Sequence, residues 1–475
     1  QRKAIELKPD LAEAYSNLGI ILKDLGKLEE AELLFHKAIE LKPDFAEAYS
    51  NLGNILADLG KLKEAEILIR KAIELKPDYA NSYFNLANIL KDLGQLEESE
   101  ILTRKAIKIK PDFAEAYSNL GNILRDLGQL KEAEIQSSKA IKIKPNLNEA
   151  YFNLSYIQLL NGNYESGLVN YDYRTKVMKT SNLHANPSIK KIEYGKKQKT
   201  TDKLLIISEQ GLGDTLQQMR YIPYLRKIGF NVSFCAQKKL HSLIKISGID
   251  PNPLTPDEAD KFSDGEWIYL LSLLRYLNVN PKNPIMINPY IFSSDELIKK
   301  WRNILKEEEK PIIGINWQGN PQSEKGSQKG RSLPLETFST LVRNSNFKFL
   351  SLQKGFGSEQ LDDCSFKKKF VECQPQIDST WDFLENAAII ENCDLIITSD
   401  TSVAHLAGGM GKSTWLLLKY VPEWRWGLKG ESSFWYPTMR LFRQKEKNNW
   451  HEVMERVSIE LQKEFGEGFN PFLIA

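Results

Sequence analysis

Three short segments carry side chains suited to holding an anionic, phosphorylated ligand: EQGLGDT at 209–215, WQGNPQSEKGSQKGRSLP at 317–334 and SDTSVAH at 399–405. In the third, the backbone N–H groups after Asp400, at Thr401 and Ser402, stand at the start of a helix. Unpaired amides and the axial dipole favour an anion there. His405 lies one turn in, on the face of Thr401. The second segment follows a strand and brings Lys325, Lys329 and Arg331 into one loop, a cation set that suits a diphosphate. In the first, Gly211 and Gly213 let backbone amides approach a ligand, and Asp214 can cap the helix that follows. Each residue also has a plain reading, as a helix cap, a solvated cation or a structural histidine. Their recurrence at the ends of successive strands argues for a site.

The elements that must position these loops alternate in type. A strand at 203–208 (KLLIIS) leads through EQGLGDT into one amphipathic stretch, LQQMRYIPYLRKIG, and a strand at 231–236 is followed by a helix after Gln237. A second series starts with PIIGINW at 311–317. It continues through a helix near 335–342, a strand at 347–352, a helix at 381–390, a strand at 394–398, a helix through His405 and Ala407, and a strand at 414–418. Such alternation predicts parallel sheets covered by helices, with the loops at strand carboxyl ends around a cleft between two lobes, 203–305 and 306–475. A final helical run near 450–465 has no strand after it and is expected to pack back across the lobes. Asp400 and Ser402 are candidate caps of the helix through His405, and Gly408, Gly409 and Gly411 are expected to end it. The segment GGMGKST at 408–414 fails as an ATP phosphate loop, because Leu406 stands where the motif needs glycine and the strand–helix order is reversed. The aromatic stretch 419–444 offers Pro422, Glu423 and Trp424 to a nucleotide base or sugar, against the alternative that these tryptophans are core.

The first third is repetitive. AEAYSNLGIILKDLGKLEEAELLFHKAIELKPDF at 12–45 recurs in the next 34 residues, again from 80 and 114, and in degraded form from 148. Tyr15, Leu18, Gly19 and Leu22 form the inner stripe of a first helix. Ala31, Phe35 and Ala38 form that of a second, which Pro43 stops. The opposite face of each first helix carries Asn17, Asn51, Asn85, Asn119 and Asn153 in register, beside Glu13 or Asp24 and their equivalents. An amide offers both donor and acceptor, so this ladder is expected either to hold an extended peptide or to be ordinary solvated surface. The opening QRKAIELKPD is the tail of a preceding unit, which predicts further repeats before Gln1.

Bulk properties set the frame. A chain of 475 residues predicts two or three folding units, and a formal net charge of +2 gives no reason to expect nucleic acid. Four dispersed cysteines without a C-x-x-C unit argue against a zinc site or disulfide scaffold and predict a reducing, cytoplasmic setting. No apolar run approaches the roughly 20 residues of a membrane span. The lysine-rich stretch 171–202 reads as a connector, either a solvated run or one touching an anionic surface.

Over roughly the first 170 residues the pattern resembles the tetratricopeptide repeat. From Lys203 onward, GLGDT, the W-x-G unit Trp317 to Gly319 and D-T-S-V-A-H resemble the bacterial heptosyltransferase family of glycosyltransferases. The resemblance implies a GT-B fold of two Rossmann-like lobes after an α-solenoid, and a nucleotide-diphosphate sugar held mainly by the second lobe. It implies donor contacts at Trp317, Gly319, Arg331, Asp400, Thr401 and His405, with Asp214 as general base. An acceptor hydroxyl needs a carboxylate within hydrogen-bond reach, which Glu209 could supply instead. Ser402 stands where the family has glycine. The fusion of repeats to such a unit is also similar in layout to protein O-GlcNAc transferases. The expected reaction is inverting and needs neither metal nor cofactor, since no D-x-D unit precedes a suitable loop; a protein or peptide partner is expected on the repeats. The competing expectation is a non-catalytic scaffold whose transferase-like part is degenerate.

Overall fold

The computed structural model describes residues 2–178, 186, 188–195, 203–285, 288–308, 311–324, 328–342 and 347–465. It divides into two units, Gln1–Val177 and Met178–Ala475.

The first unit is a stack of helical hairpins: Ala12–Asp24 with Leu28–Leu41, Ala46–Asp58 with Leu62–Leu75, Ala80–Leu93 with Leu96–Ile109, Ala114–Asp126 with Leu130–Ile143, and Asn148–Leu160 with Tyr164–Tyr171. A helix at Arg2–Leu7 precedes them. Each hairpin turns through a left-handed glycine, such as Gly60 at φ 82° and Gly94 at φ 86°, a conformation that costs other residues strain. The stripe of the second helix is as its spacing predicts, with Ala31, Phe35 and Ala38 fully buried, whereas in the first helix Gly19 and Leu22 are buried and Tyr15 and Leu18 only half-buried. Gly53 allows the two helices of its hairpin to touch: a Cβ there would lie 2.4 Å from Ile69 Cγ1 and 3.1 Å from the Ala65 carbonyl oxygen.

The second unit contains two parallel sheets. Strands β1 (Lys190–Lys191), β2 (Lys203–Ile207), β3 (Asn231–Cys235) and β4 (Glu266–Tyr269) form one, in the order β1-β4-β2-β3. Strands β5 (Ile312–Asn316), β6 (Lys348–Ser351), β7 (Leu395–Ser399), β8 (Thr414–Leu418) and β9 (Met439–Arg443) form the other, in the order β6-β5-β7-β8-β9. All of the pairings are parallel. The inner strands β5, β7 and β8 are buried along their whole length, which is why they read as unbroken apolar runs.

Several elements differ from their sequence patterns. The stretch after EQGLGDT forms two helices, Leu212–Gln218 and Tyr221–Lys227, separated at Arg220. Residues Leu335–Val342 wind as a 3-10 helix. The connector contributes β1, which pairs with β4, while its residues 179–185, 187 and 196–202 lie outside the described ones. Helix Asp295–Ile304 packs on helix Phe383–Glu391 of the second sheet's layer, where the Trp301 indole donates to Glu385 at 3.1 Å. The final helix, Trp450–Phe465, does not cross between lobes: Val453, Met454, Val457 and Leu461 sink into the core of the β5–β9 lobe beside Phe338 and Phe442. No helix among the described residues is long and apolar enough to cross a membrane.

The glycine contact gives a direct test. Replacing Gly53 with Val should cost about 1–3 kcal/mol through overpacking, read as a lower denaturation midpoint and faster amide exchange in Leu62–Leu75.

Candidate functional site

In the β6-β5-β7-β8-β9 order, the chain leaves β5 toward one side of the sheet and β7 toward the other, so a crevice opens at their carboxyl ends. Asn316 ends β5, and its side-chain oxygen accepts from the Thr401 hydroxyl at 2.8 Å while its amide donates to Gln353 at 2.8 Å. Thr401 is the N-cap of helix Ser402–Gly409, yet no side chain caps the helix, because the Thr401 hydroxyl is turned to Asn316. Neither Asp400 nor Ser402 is the cap. Gly408 and Gly409 lie inside the helix, and Gly411, at φ 75°, follows its end.

Helix Leu212–Gln218 of the other lobe packs against helix Ser402–Gly409, so two helix starts meet. They border a cleft of about 790 Å³ that Glu209, Asp214, Arg331, Asp400, His405 and Arg425 help to line. Gly213 serves this packing, and its closeness is to protein, not ligand: a Cβ there would lie 3.0 Å from His405 Cδ2 and 3.5 Å from Ser402 Cα. Gly211 has extended backbone, φ −66° and ψ 165°, and its N–H donates to Asp214 Oδ2 at 3.1 Å. Asp214 is thus not the N-cap, a position Gly211 holds, but the third residue of the helix, reaching back to the N-cap amide. Its other oxygen takes a short hydrogen bond from Arg425, 211 residues further along the chain.

Charge is concentrated in this crevice. Arg425 also pairs with Glu423 at 3.5 Å, and Glu423 accepts from the Arg425 N–H at 2.8 Å. Burial pushes the Glu423 carboxyl up to about 7, with Arg425 opposing and Asp400 reinforcing the shift. Burial likewise raises Asp400, against the pull of Arg331 and a hydrogen bond from Trp426. Burial, aided by Arg425, Arg220 and Arg331, holds His405 well below its ordinary value, so its ring is neutral at pH 7. His405 stacks on Trp426 with centroids 5.5 Å apart, and its Nδ1 lies 2.9 Å from the Tyr436 hydroxyl.

The W-x-G unit works indirectly. Trp317 is fully buried and donates its indole N–H to the Gly357 carbonyl at 3.2 Å, so it is core and not a ligand contact. Gly319 makes room for Arg331, whose Nη2 would lie 2.6 Å from a Cβ at that position. Arg331 is steadied by Glu324 at 3.4 Å. Lys325 lies outside the described residues, and the Lys329 carbonyl accepts from Lys419 at 2.8 Å. Pro422 and Trp424 are buried, and Trp424 meets Trp435 edge-on at 6.2 Å, so neither offers a face to a base.

Sequence reasoning missed the aromatics that are accessible. Trp381 is 65 % exposed and Phe356 52 % exposed, and both line the cleft. Beside them is Lys354, which burial lowers to about 8. Only the turn and cap residues around 355–357 and 378–382 hinted at such loops.

On the repeats, the asparagine ladder is partly tied up by neighbours. Asn85 donates to Ser50 at 3.1 Å, Asn153 donates to Ser118 at 3.0 Å, and Asn119 accepts from Lys91 at 3.2 Å. Asn17 is exposed and Asn51 half-buried.

Comparison with known proteins identifies this repeat region. Family models described as TPR repeat and tetratricopeptide repeat match residues 19–60, 44–112, and 2–32 with 102–135. The N-terminal region is thus a tetratricopeptide repeat array, a class associated with protein interaction. Similar solved structures include YrrB, a TPR protein with an unusual peptide-binding site, at 26% identity over 37% of this chain and 91% of that one, TM-score 0.30. TTC0263, a thermophilic TPR protein of Thermus thermophilus, shares 22% over 35% and 90%, TM-score 0.32. PilF of Pseudomonas aeruginosa shares 21% over 35% and 75%, TM-score 0.33. No curated protein matches the chain.

Because Glu423 is raised in the folded state, the unfolded chain ionises first. Stability from this group is full below about pH 4.5 and declines as pH rises to about 7. Glu423→Gln should remove that decline, up to about 3 kcal/mol between those limits, measured by denaturant titration of both proteins across the range.

Proposed function

We propose that the C-terminal unit is an inverting glycosyltransferase of GT-B type, using a nucleotide-diphosphate sugar, and that the repeats recruit the protein or peptide partner. The observation that carries this reading is the meeting of an uncapped helix start at Ser402, the guanidiniums of Arg331 and Arg425, and the Asp214 carboxylate from the opposite lobe in one cleft. A diphosphate suits the first two, and an acceptor hydroxyl suits the third.

In the reaction, the acceptor oxygen bonds to the anomeric carbon as the bond from that carbon to the phosphate oxygen breaks. The electron pair leaves with the diphosphate, where Arg331, Arg425, the first helical amides and neutral His405 meet the growing charge. The acceptor proton passes to Asp214. Arg425 holds Asp214, so donor binding must draw the guanidinium toward phosphate before the carboxylate can act. Glu209, also on the cleft wall, is the alternative base. Trp381 and Phe356 give the base an apolar face. A non-catalytic scaffold is the second reading, favoured by the way Arg425 and Gly211 already occupy both Asp214 oxygens.

A panel of nucleoside diphosphates and their sugars separates these readings. One member at 100 times its dissociation constant should stabilise the protein by about 2.7 kcal/mol; no shift with any member favours the scaffold. Asp214→Asn should keep the shift and slow transfer roughly 100- to 10,000-fold, and an unimpaired rate removes Asp214 as the base. Trp381→Ala should weaken nucleotide binding roughly 5- to 150-fold, the equivalent of about 1–3 kcal/mol of stacking, by calorimetric titration.

A further inference from the structure

Behind the cleft wall, four buried side chains from distant parts of the second unit converge: Arg220, Tyr290, His405 and Tyr436. The Arg220 guanidinium is sandwiched between the rings of Tyr290 and Tyr436, 4.6 Å from each centroid. It donates to the Gln217 carbonyl at 2.8 Å, the Trp435 carbonyl at 2.6 Å and the Tyr290 hydroxyl at 3.1 Å. Gly408 admits the Tyr436 ring, since a Cβ there would lie 2.7 Å from Tyr436 Cδ1. Tyr436 in turn places its hydroxyl 2.9 Å from His405 Nδ1.

The protons can be assigned by counting donors. Arginine only donates. The Tyr290 proton goes to the Leu216 carbonyl at 2.8 Å, so the Tyr290 oxygen accepts from Arg220. Tyr436 is fully buried, and the hydrogen-bond acceptor at its hydroxyl is His405 Nδ1. If Nδ1 carried the proton and donated instead, the buried phenol proton would be left without that acceptor, at the cost of an unsatisfied donor.

We infer that Tyr436 is a positioning residue for His405: its phenol donates to Nδ1 and fixes the imidazole as the tautomer with its proton on Nε2. The nitrogen left for the cleft is then a donor and not a base. Arg220 orients Tyr436, and Gly408 gives it space. What the Nε2 proton is for rests on the proposed function, where it meets the leaving diphosphate; the tautomer itself does not.

The test is nitrogen NMR on protein labelled at histidine. His36, His184, His241, His405 and His451 are the histidines of the chain, and His405→Gln identifies the signal of interest. At pH 7 and without nucleotide, Nδ1 of His405 should resonate as an unprotonated imine nitrogen and Nε2 as a protonated one. The reverse pattern overturns the inference. Tyr436→Phe keeps the ring against Arg220 and removes only the hydroxyl, so the His405 signals should move toward an average of the two tautomers; unchanged signals also overturn it. In the same variant, transfer turnover should drop roughly tenfold or more, with little change in the donor KM. The tautomer is read without any nucleotide, so the expected pattern in a protein that binds none refutes the transferase and leaves Tyr436 in its role.

Discussion

Asp214, Asp400 and Glu423 face Arg331 and Arg425 in a half-dry crevice whose walls also carry Glu209, Lys239 and Lys354. Burial makes a charge on Glu423 costly, Arg425 offsets part of that cost and Asp400 adds to it, so this carboxyl holds its proton to about pH 7. A diphosphate entering here brings more negative charge, so it must either displace a carboxylate from its arginine or carry a proton in with it. The Asp214–Arg425 contact is the one that can yield, because Asp214 retains the Gly211 N–H when Arg425 leaves. The constraint that makes the crevice, opposite crossovers from β5 and β7, is also what gathers these charges.

Much of this was legible where the information is local. Repeats with a period of 34 announce themselves, and strand–loop–helix order located the helix start at Thr401 and Ser402. Long-range pairings were not legible. Arg425 sits in an aromatic stretch where tryptophans draw attention, and nothing near it in the chain announces a partner at Asp214. Trp317, expected at the donor, and Trp424, for which the core was the alternative, are both buried: a tryptophan next to a strand end more often fills the core than faces a ligand. The available tryptophan, Trp381, lies outside every motif. Strands β4 (EWIY) and β9 (MRLFR) escaped notice because charged residues interrupt their apolar runs and only part of each is buried.

The asparagines of the repeats show how a single-helix argument falls short. Each projects from the outward face of its own helix, as the helical period requires, yet the serine one place before its counterpart in the preceding repeat reaches it. Asn85 and Ser50 are 35 residues apart, as are Asn153 and Ser118. The bond therefore knits neighbouring repeats, and the amide that could meet a peptide backbone is shared with the scaffold. Asn51, which makes no such bond among the described residues, and the exposed Asn17 are better placed for a partner.

The serine at 402 raises the matter of space. A glycine at the start of a phosphate-facing helix leaves room beside the anion, and Ser402 takes some of it. The facing helix supplies room instead: Gly213 presents only backbone to Ser402, with its missing Cβ 3.5 Å from Ser402 Cα. That position would also lie 3.0 Å from His405 Cδ2, so a methyl group at 213 would press on the imidazole while making only ordinary contact with the helix start. The imidazole cannot retreat, because Tyr436 holds Nδ1 and Trp426 lies along its face. One small residue in one lobe thus sets the clearance for the imidazole in the other.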